Sequence, residues 1–150
     1  MSSPRATLLL AIEDALKRIT QANGYITNAG HTITREPAPV AGEAESEFVT
    51  VVWSRQDRAT DVALARTHRA TTVQVIAKVA ARMNNAQSRL DDITTDIETA
   101  MADQQFRFPV GYQFPQYQSA EPLMPQQSTT GWIGVSIAYA SHIPIRRPAA

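Results

Sequence analysis

The sequence contains no cysteine, no net charge and no long apolar run, and each absence closes a class of function. Without cysteine there is no disulfide framework, no thiolate metal site and no thiol nucleophile, and the redox compartment is left open. The 14 basic and 14 acidic residues cancel, with pI near 6.8. A balanced chain has no global field to draw it onto nucleic acid or an anionic membrane. The early apolar run from Thr7 to Ile12 is cut short by Glu13 and Asp14, so it reads as one helix face and not as a signal peptide. Nothing approaches the ~20 apolar residues of a membrane span, so no membrane partner is expected. The six glycines are scattered, with no G-x-G-x-x-G and no Walker pattern, which leaves nucleotide binding without a warrant.

Catalytic groups are equally sparse. The histidines are His31, His68 and His142, none in a recognisable motif, and there is no G-x-S-x-G elbow. No H-E-x-x-H, His/Cys cluster or EF-hand loop is present. The dense carboxylates, Glu43, Glu45 and Glu47 in one stretch and Asp91-Asp92 in another, read as solvated charge. The expectation is a protein that is not an enzyme and takes no cofactor and no metal.

What is present is an ordinary globular composition. A chain of 150 residues fits one domain. Such a chain buries roughly 68–70% of its unfolded surface, enough for a core without staples. A helix is expected from Pro4 to Ala22, with Ser3 as N-cap, Pro4 in the first turn and Asn23-Gly24 as the stop. Leu8, Leu9, Ile12, Leu16 and Ile19 form its apolar stripe, while Glu13, Asp14, Lys17 and Arg18 face water. Gly30 to Arg35 is a weak strand, and Glu36 to Glu47 a loop. Phe48 to Trp53 is a strong strand, Ser54 to Arg69 a long polar connection, and Thr71 to Val79 another strand. A second helix spans Ala86 to Asp103, started by a Ser88-Arg89-Leu90-Asp91 capping box or by Asn84 or Asn85. Leu90, Ile93, Ile97 and Met101 make its buried stripe, with Asp91, Asp92, Asp96 and Glu98 off it. Phe106 to Gln127 is irregular, and Gly131 to Ala140 is the last strand. The fold class expected is α+β, a mainly antiparallel sheet of about four strands with two helices packed on one face. Residues 1–140 would form the domain and 141–150 an extended C-terminal tail. The other sheet face is too apolar for an isolated domain, and a partner subunit is the simplest cover.

Two clusters stand out. Arg55, Arg58, Arg66 and Arg69 fall in one connection, which is either a mobile loop partly neutralised by Asp57 and Asp61 or a basic rim for phosphates or an acidic protein surface. Phe106, Phe108, Tyr112, Phe114 and Tyr117 lie among prolines, in a partner-engaging arm or a loop folded onto its own core.

The layout resembles the tail terminator (tail completion) family of long-tailed bacteriophages. The resemblance rests on the opening amphipathic helix, the β-rich middle at Phe48 to Trp53 and Thr72 to Val79, the pattern of Leu90, Ile93 and Ile97, and the closing strand Trp132 to Tyr139. It implies a virion protein assembled in the host cytoplasm, forming a ring, typically a hexamer, on the last ring of tail tube protein. The ring would end tail polymerisation, present a surface to a head-completion or connector protein, and pass genomic DNA through its lumen without sequence readout. On that view Arg55, Arg58, Arg66 and Arg69 are candidate tube or lumen contacts. Trp53, Tyr112, Phe114, Tyr117 and Trp132 are candidate subunit-interface residues. The competing readings are another neck or head-completion protein and a cytoplasmic binding module.

Overall fold

The computed structural model describes residues 3–35, 47–82, 84–102, 108–123 and 131–146. Glu43, Glu45, Phe106, Asp103, residues 124–127 and the last four residues lie outside them.

The first helix, α1, runs over Pro4–Leu16, with the Ser3 hydroxyl accepting from the Ala6 N–H at 3.1 Å. It ends earlier than the apolar stripe suggests. A Cβ on Gly30 would lie 2.5 Å from the Lys17 carbonyl oxygen and 2.7 Å from that of Ile19, and the Gly30 N–H bonds the latter. The chain after Leu16 is therefore packed against another segment's backbone and tightens into a short 3-10 turn, Gln21–Asn23, closed by Gly24 in the left-handed region. Ile19 remains fully buried beyond the helix.

Five strands follow the order β1-β2-β3-β5-β4, where β1 is Ile33–Thr34, β2 Glu47–Arg58, β3 His68–Ala80, β4 Gln116–Leu123 and β5 Trp132–Pro144. The second helix, α2 (Ala86–Met101), connects β3 to β4. The sheet is mixed, because β1 pairs parallel to β2 while the other pairs are antiparallel. The twelve residues between Thr34 and Glu47 exceed a hairpin connection and match the length a parallel pairing requires. The long strands extend past their expected ends. β2 continues to Arg58 through a bulge at Ser54, and β5 continues to Pro144, into what reads as tail.

Strand β4 is the element that alternation does not reveal. Its residues are exposed apart from half-buried Ala120, because an edge strand over a sparsely covered rim has no buried row to pattern it. Pro122 is tolerated for the same reason, since one side of the strand needs no ladder donor.

Both helices pack on one sheet face. Leu8, Ile12 and Leu16 of α1 and Leu90, Ile93 and Ile97 of α2 close over Val49, Val51, Val73, Val75, Val135 and Ile137, all at most 7% exposed. Each such aliphatic side chain contributes roughly 1.5–3 kcal/mol on burial. In α1 the inward residue is Leu8; Leu9 is only partly buried and Leu10 is 44% exposed.

Three carboxylates expected in water are engaged. Glu13 is nearly buried and pairs with Lys17 at 2.9 Å and Arg35 at 2.7 Å, and the Lys17 ammonium is held above its usual pKa by that contact. Glu47 opens β2 and grips Arg89 of α2 through two bonds of 2.7 and 2.8 Å. Asp96 is 2% exposed and accepts from the Ile26 and Thr27 amides and the Thr27 hydroxyl. The helix start itself uses Asn85, left-handed and without a side-chain cap bond, so neither capping-box residue acts there.

Candidate functional site

The alternation of β2, β3 and β5 sends one row of side chains to the helices and the other to a face that neither helix covers. On this second face lie Phe48 and Val52 of β2, Ile76 of β3, Trp132 of β5 and Leu123 of β4, around the small residues Gly134, Ser136 and Ala138. Phe48 and Trp132 meet edge to face with ring centroids 5.2 Å apart. Gly134 is required in this register: a Cβ would approach the Ala77 carbonyl oxygen at 2.9 Å and the Leu123 and Lys78 side chains at 3.1 Å. Thr50 is buried here with a hydroxyl that has no hydrogen-bond partner among the described residues.

The other candidate surface is the end of the sheet at the β2–β3 turn. Arg55 and Arg58 lie on β2 and Arg69 on β3, so only Arg66 is in the connection proper, which spans residues 59–67. Arg58 and Arg69 are direct cross-strand partners, a like-charge pairing that costs stability unless something neutralises it. Arg69 donates to the carbonyls of Ala65 and His68, and Arg55 pairs with Asp57 at 2.9 Å. Arg58 and Arg66 have no ion-pair partner among the described residues.

Two features that spacing along the chain does not connect also reach this end. The start of α1 arrives with Arg5, which bonds Gln56 at 3.3 Å and sits 5.2 Å over the Trp53 ring. The end of β5 arrives with Ile145, whose N–H bonds the Thr67 carbonyl at 2.9 Å, bringing Arg146 beside the turn. Six arginines (Arg5, Arg55, Arg58, Arg66, Arg69 and Arg146) thus meet two carboxylates, Asp57 and Asp61, in a chain with no net charge.

The turn is fastened and not loose. The His142 ring accepts from the Thr60 N–H at 3.1 Å through Nε2 and donates through Nδ1 to Gln113 Oε1 at 2.7 Å. His68 donates through Nε2 to the Gly111 carbonyl at 3.0 Å, with Thr67 Oγ1 at 2.7 Å from Nδ1. Neither ring faces a carboxylate in these contacts. They join the turn to the segment before β4. His31 is exposed in a 3-10 turn.

The five candidate interface aromatics do not form one patch. Trp53 is 45% exposed on the helix-covered side at the β2 rim, and Trp132 lies on the opposite face. Tyr112 packs on the core and Phe114 stacks edgewise on Phe108 at 5.9 Å, so this segment folds onto its own domain. Tyr117 is exposed at the β4 rim, 5.9 Å from the buried Tyr139 ring. A hollow of about 310 Å³ between α2 and β4 is lined by Glu98, Met101, Phe114, Pro115, Tyr117 and Tyr139. Burial there, with the Glu98 charge as a lesser cause, raises the Tyr139 phenol well above its usual value. A more polar, open cleft of about 880 Å³ lies between Arg18, Tyr25, Thr95, Glu98 and Thr99. Neither hollow brings a histidine beside a carboxylate. Among the described residues no three His, Asp or Glu side chains converge, and no helix is long and apolar enough to cross a membrane.

The class that these observations define is an α+β domain with a five-stranded mixed sheet and, among the described residues, both helices on one face. No family model and no curated protein matches the chain. Among solved structures, a chain described as "Virion of native gene transfer agent (GTA) particle" shares the fold, with a TM-score of 0.60 and 11% identity over 91% of this chain and 94% of that one.

Proposed function

We propose that this chain is a structural protein of a phage-like virion, with no catalytic role and no cofactor, and that it acts as a tail terminator. Copies join into a ring, six in the arrangement the family resemblance implies, seated on the last ring of tube protein. The ring stops tube growth and offers its far side to a head-completion or connector protein, with DNA passing through.

The observation that carries this reading is the sheet face that neither helix covers. Leu123 is exposed and Phe48, Val52, Ile76 and Trp132 are half-buried there, interleaved with Lys78, Gln74 and Glu121, a mix of apolar and polar side chains that suits a contact with another subunit. The shared fold supports it, because the match to a virion chain spans nearly all of both chains and is not confined to a common βα unit. Trp132 then belongs to the subunit interface, whereas Tyr117, paired with Tyr139 on the helix-covered side, does not. Arg55, Arg58, Arg66 and Arg69 lie at one end of the sheet and face the tube or the lumen.

The test is the phenotype of particles made without the chain. The reading expects tubes of unregulated length and heads without tails by negative-stain microscopy. Complete particles with tails of normal length contradict it.

A further inference from the structure

We infer that the arginine-rich end of the sheet is a docking surface for another protein, one that presents carboxylates around an apolar contact, and that it is not a nucleic-acid site. The inference deepens the reading of this end as a contact surface and rests on it.

The charge alone would suit any polyanion. Arg58 opposes Arg69, Arg66 extends from the turn, and the β5 end adds Arg146, so cations gather from three chain segments with Asp57 and Asp61 as the local acids. A carboxylate brought between two cross-strand arginines would relieve the repulsion of that pairing.

The apolar residues decide between partners. Val62, in the turn between β2 and β3, is 89% exposed, and Ile145, bonded to Thr67 of the same turn, is 40% exposed. A phosphodiester backbone offers nothing for these side chains to bury against, since its contacts are polar and ionic. Arginine beside exposed apolar residues is instead the composition of protein–protein contact centres, where the apolar part anchors and the charges orient. The fastening of the turn by His142 and His68 serves the same end, because a pre-positioned loop loses less entropy on docking.

The test uses the intact protein, ¹⁵N-labelled, with four probes at equal charge and low salt. The probes are a short peptide alternating leucine with glutamate, a polyglutamate peptide, a mixed-sequence DNA duplex, and anionic phosphatidylglycerol vesicles. The mixed peptide should bind best and shift the amides of residues 58–69 and 145–146. Combining Arg58→Glu with Arg66→Glu should weaken it on the order of tenfold, and Val62→Ser should reduce its advantage over polyglutamate. Circular dichroism identical to the parent protein confirms that these exposed changes leave the fold intact. Tighter binding of DNA or of vesicles overturns the inference, as does the absence of peptide binding or shifts confined to another surface. A chain that binds the peptide but forms no ring would keep this inference and remove the ring.

Discussion

At the residue scale, the Asp96 carboxylate has the largest structural consequence relative to its sequence signal. It lies on α2 and satisfies two amides and a hydroxyl of the segment around Ile26 and Thr27, nearly seventy residues earlier. Asp96→Ala leaves the buried Thr27 amide and hydroxyl without this acceptor, at about 1–3 kcal/mol for each unmet group, while the amide of half-exposed Ile26 can turn to water. Urea unfolding should show a lower midpoint at unchanged slope, with a stability loss of about 2 kcal/mol or more, and Asp96→Asn a smaller one. Tyr139 supplies a pH dependence. Its phenol is raised by burial, so the native state favours the protonated form. The contribution is complete below the unfolded value near 10 and is lost as pH rises above it, because only the unfolded chain then ionises readily. The stability difference between the parent protein and Tyr139→Phe should therefore be constant from pH 7 to about 9 and shift against the parent above about 10. Parallel curves through pH 11 would show that the phenol is not held in its neutral form.

At the element scale, the two helices close a single core with fully buried aliphatic side chains, Leu8, Ile12 and Leu16 from α1 and Ile93 and Ile97 from α2, whose loss leaves cavities. Leu16→Ala and Ile93→Ala should each cost ~2–5 kcal/mol in chemical denaturation, while Leu10→Ala, on the exposed side of α1, should change stability by less than ~0.5 kcal/mol. Values near zero for Leu16 and Ile93 would mean the stripes are misplaced. These stripes were legible because a helix against one sheet face repeats its burial every three or four residues. Strands β3 and β5 were legible for the matching reason, since Val73, Val75, Val135 and Ile137 alternate with outward residues. What escaped had no periodic burial to reveal it. Strand β4 lies on a rim, the end of β2 is polar, and the end of β5 carries one inward aliphatic, Ile143, between His142 and Pro144, whereas β1 was legible within the weak strand at Gly30 to Arg35. The paired acids escaped too: Glu13, Glu47 and Asp96 look like solvated charge until distant partners are brought to them. The arginine cluster was legible as composition. Its union with Arg5 and Arg146 depends on which strand ends meet, and no local pattern records that.

At the scale of the whole molecule, the domain places the uncovered sheet face and the cationic sheet end at different positions, so the self-association and the docking proposed for them can be tested apart. Charge on the face that neither helix covers separates the two. Val52→Lys with Ile76→Glu should leave the helix-covered core intact, preserving the circular dichroism spectrum and the cooperativity of unfolding, because both side chains point away from α1 and α2. The same variant should lose self-association. The most direct measurement is the native mass of the unaltered protein across a wide concentration range. The account predicts a closed assembly of several 16.5 kDa subunits, six in the arrangement proposed, that the Val52/Ile76 variant fails to form. A single subunit mass at every concentration, identical for parent and variant, would contradict it.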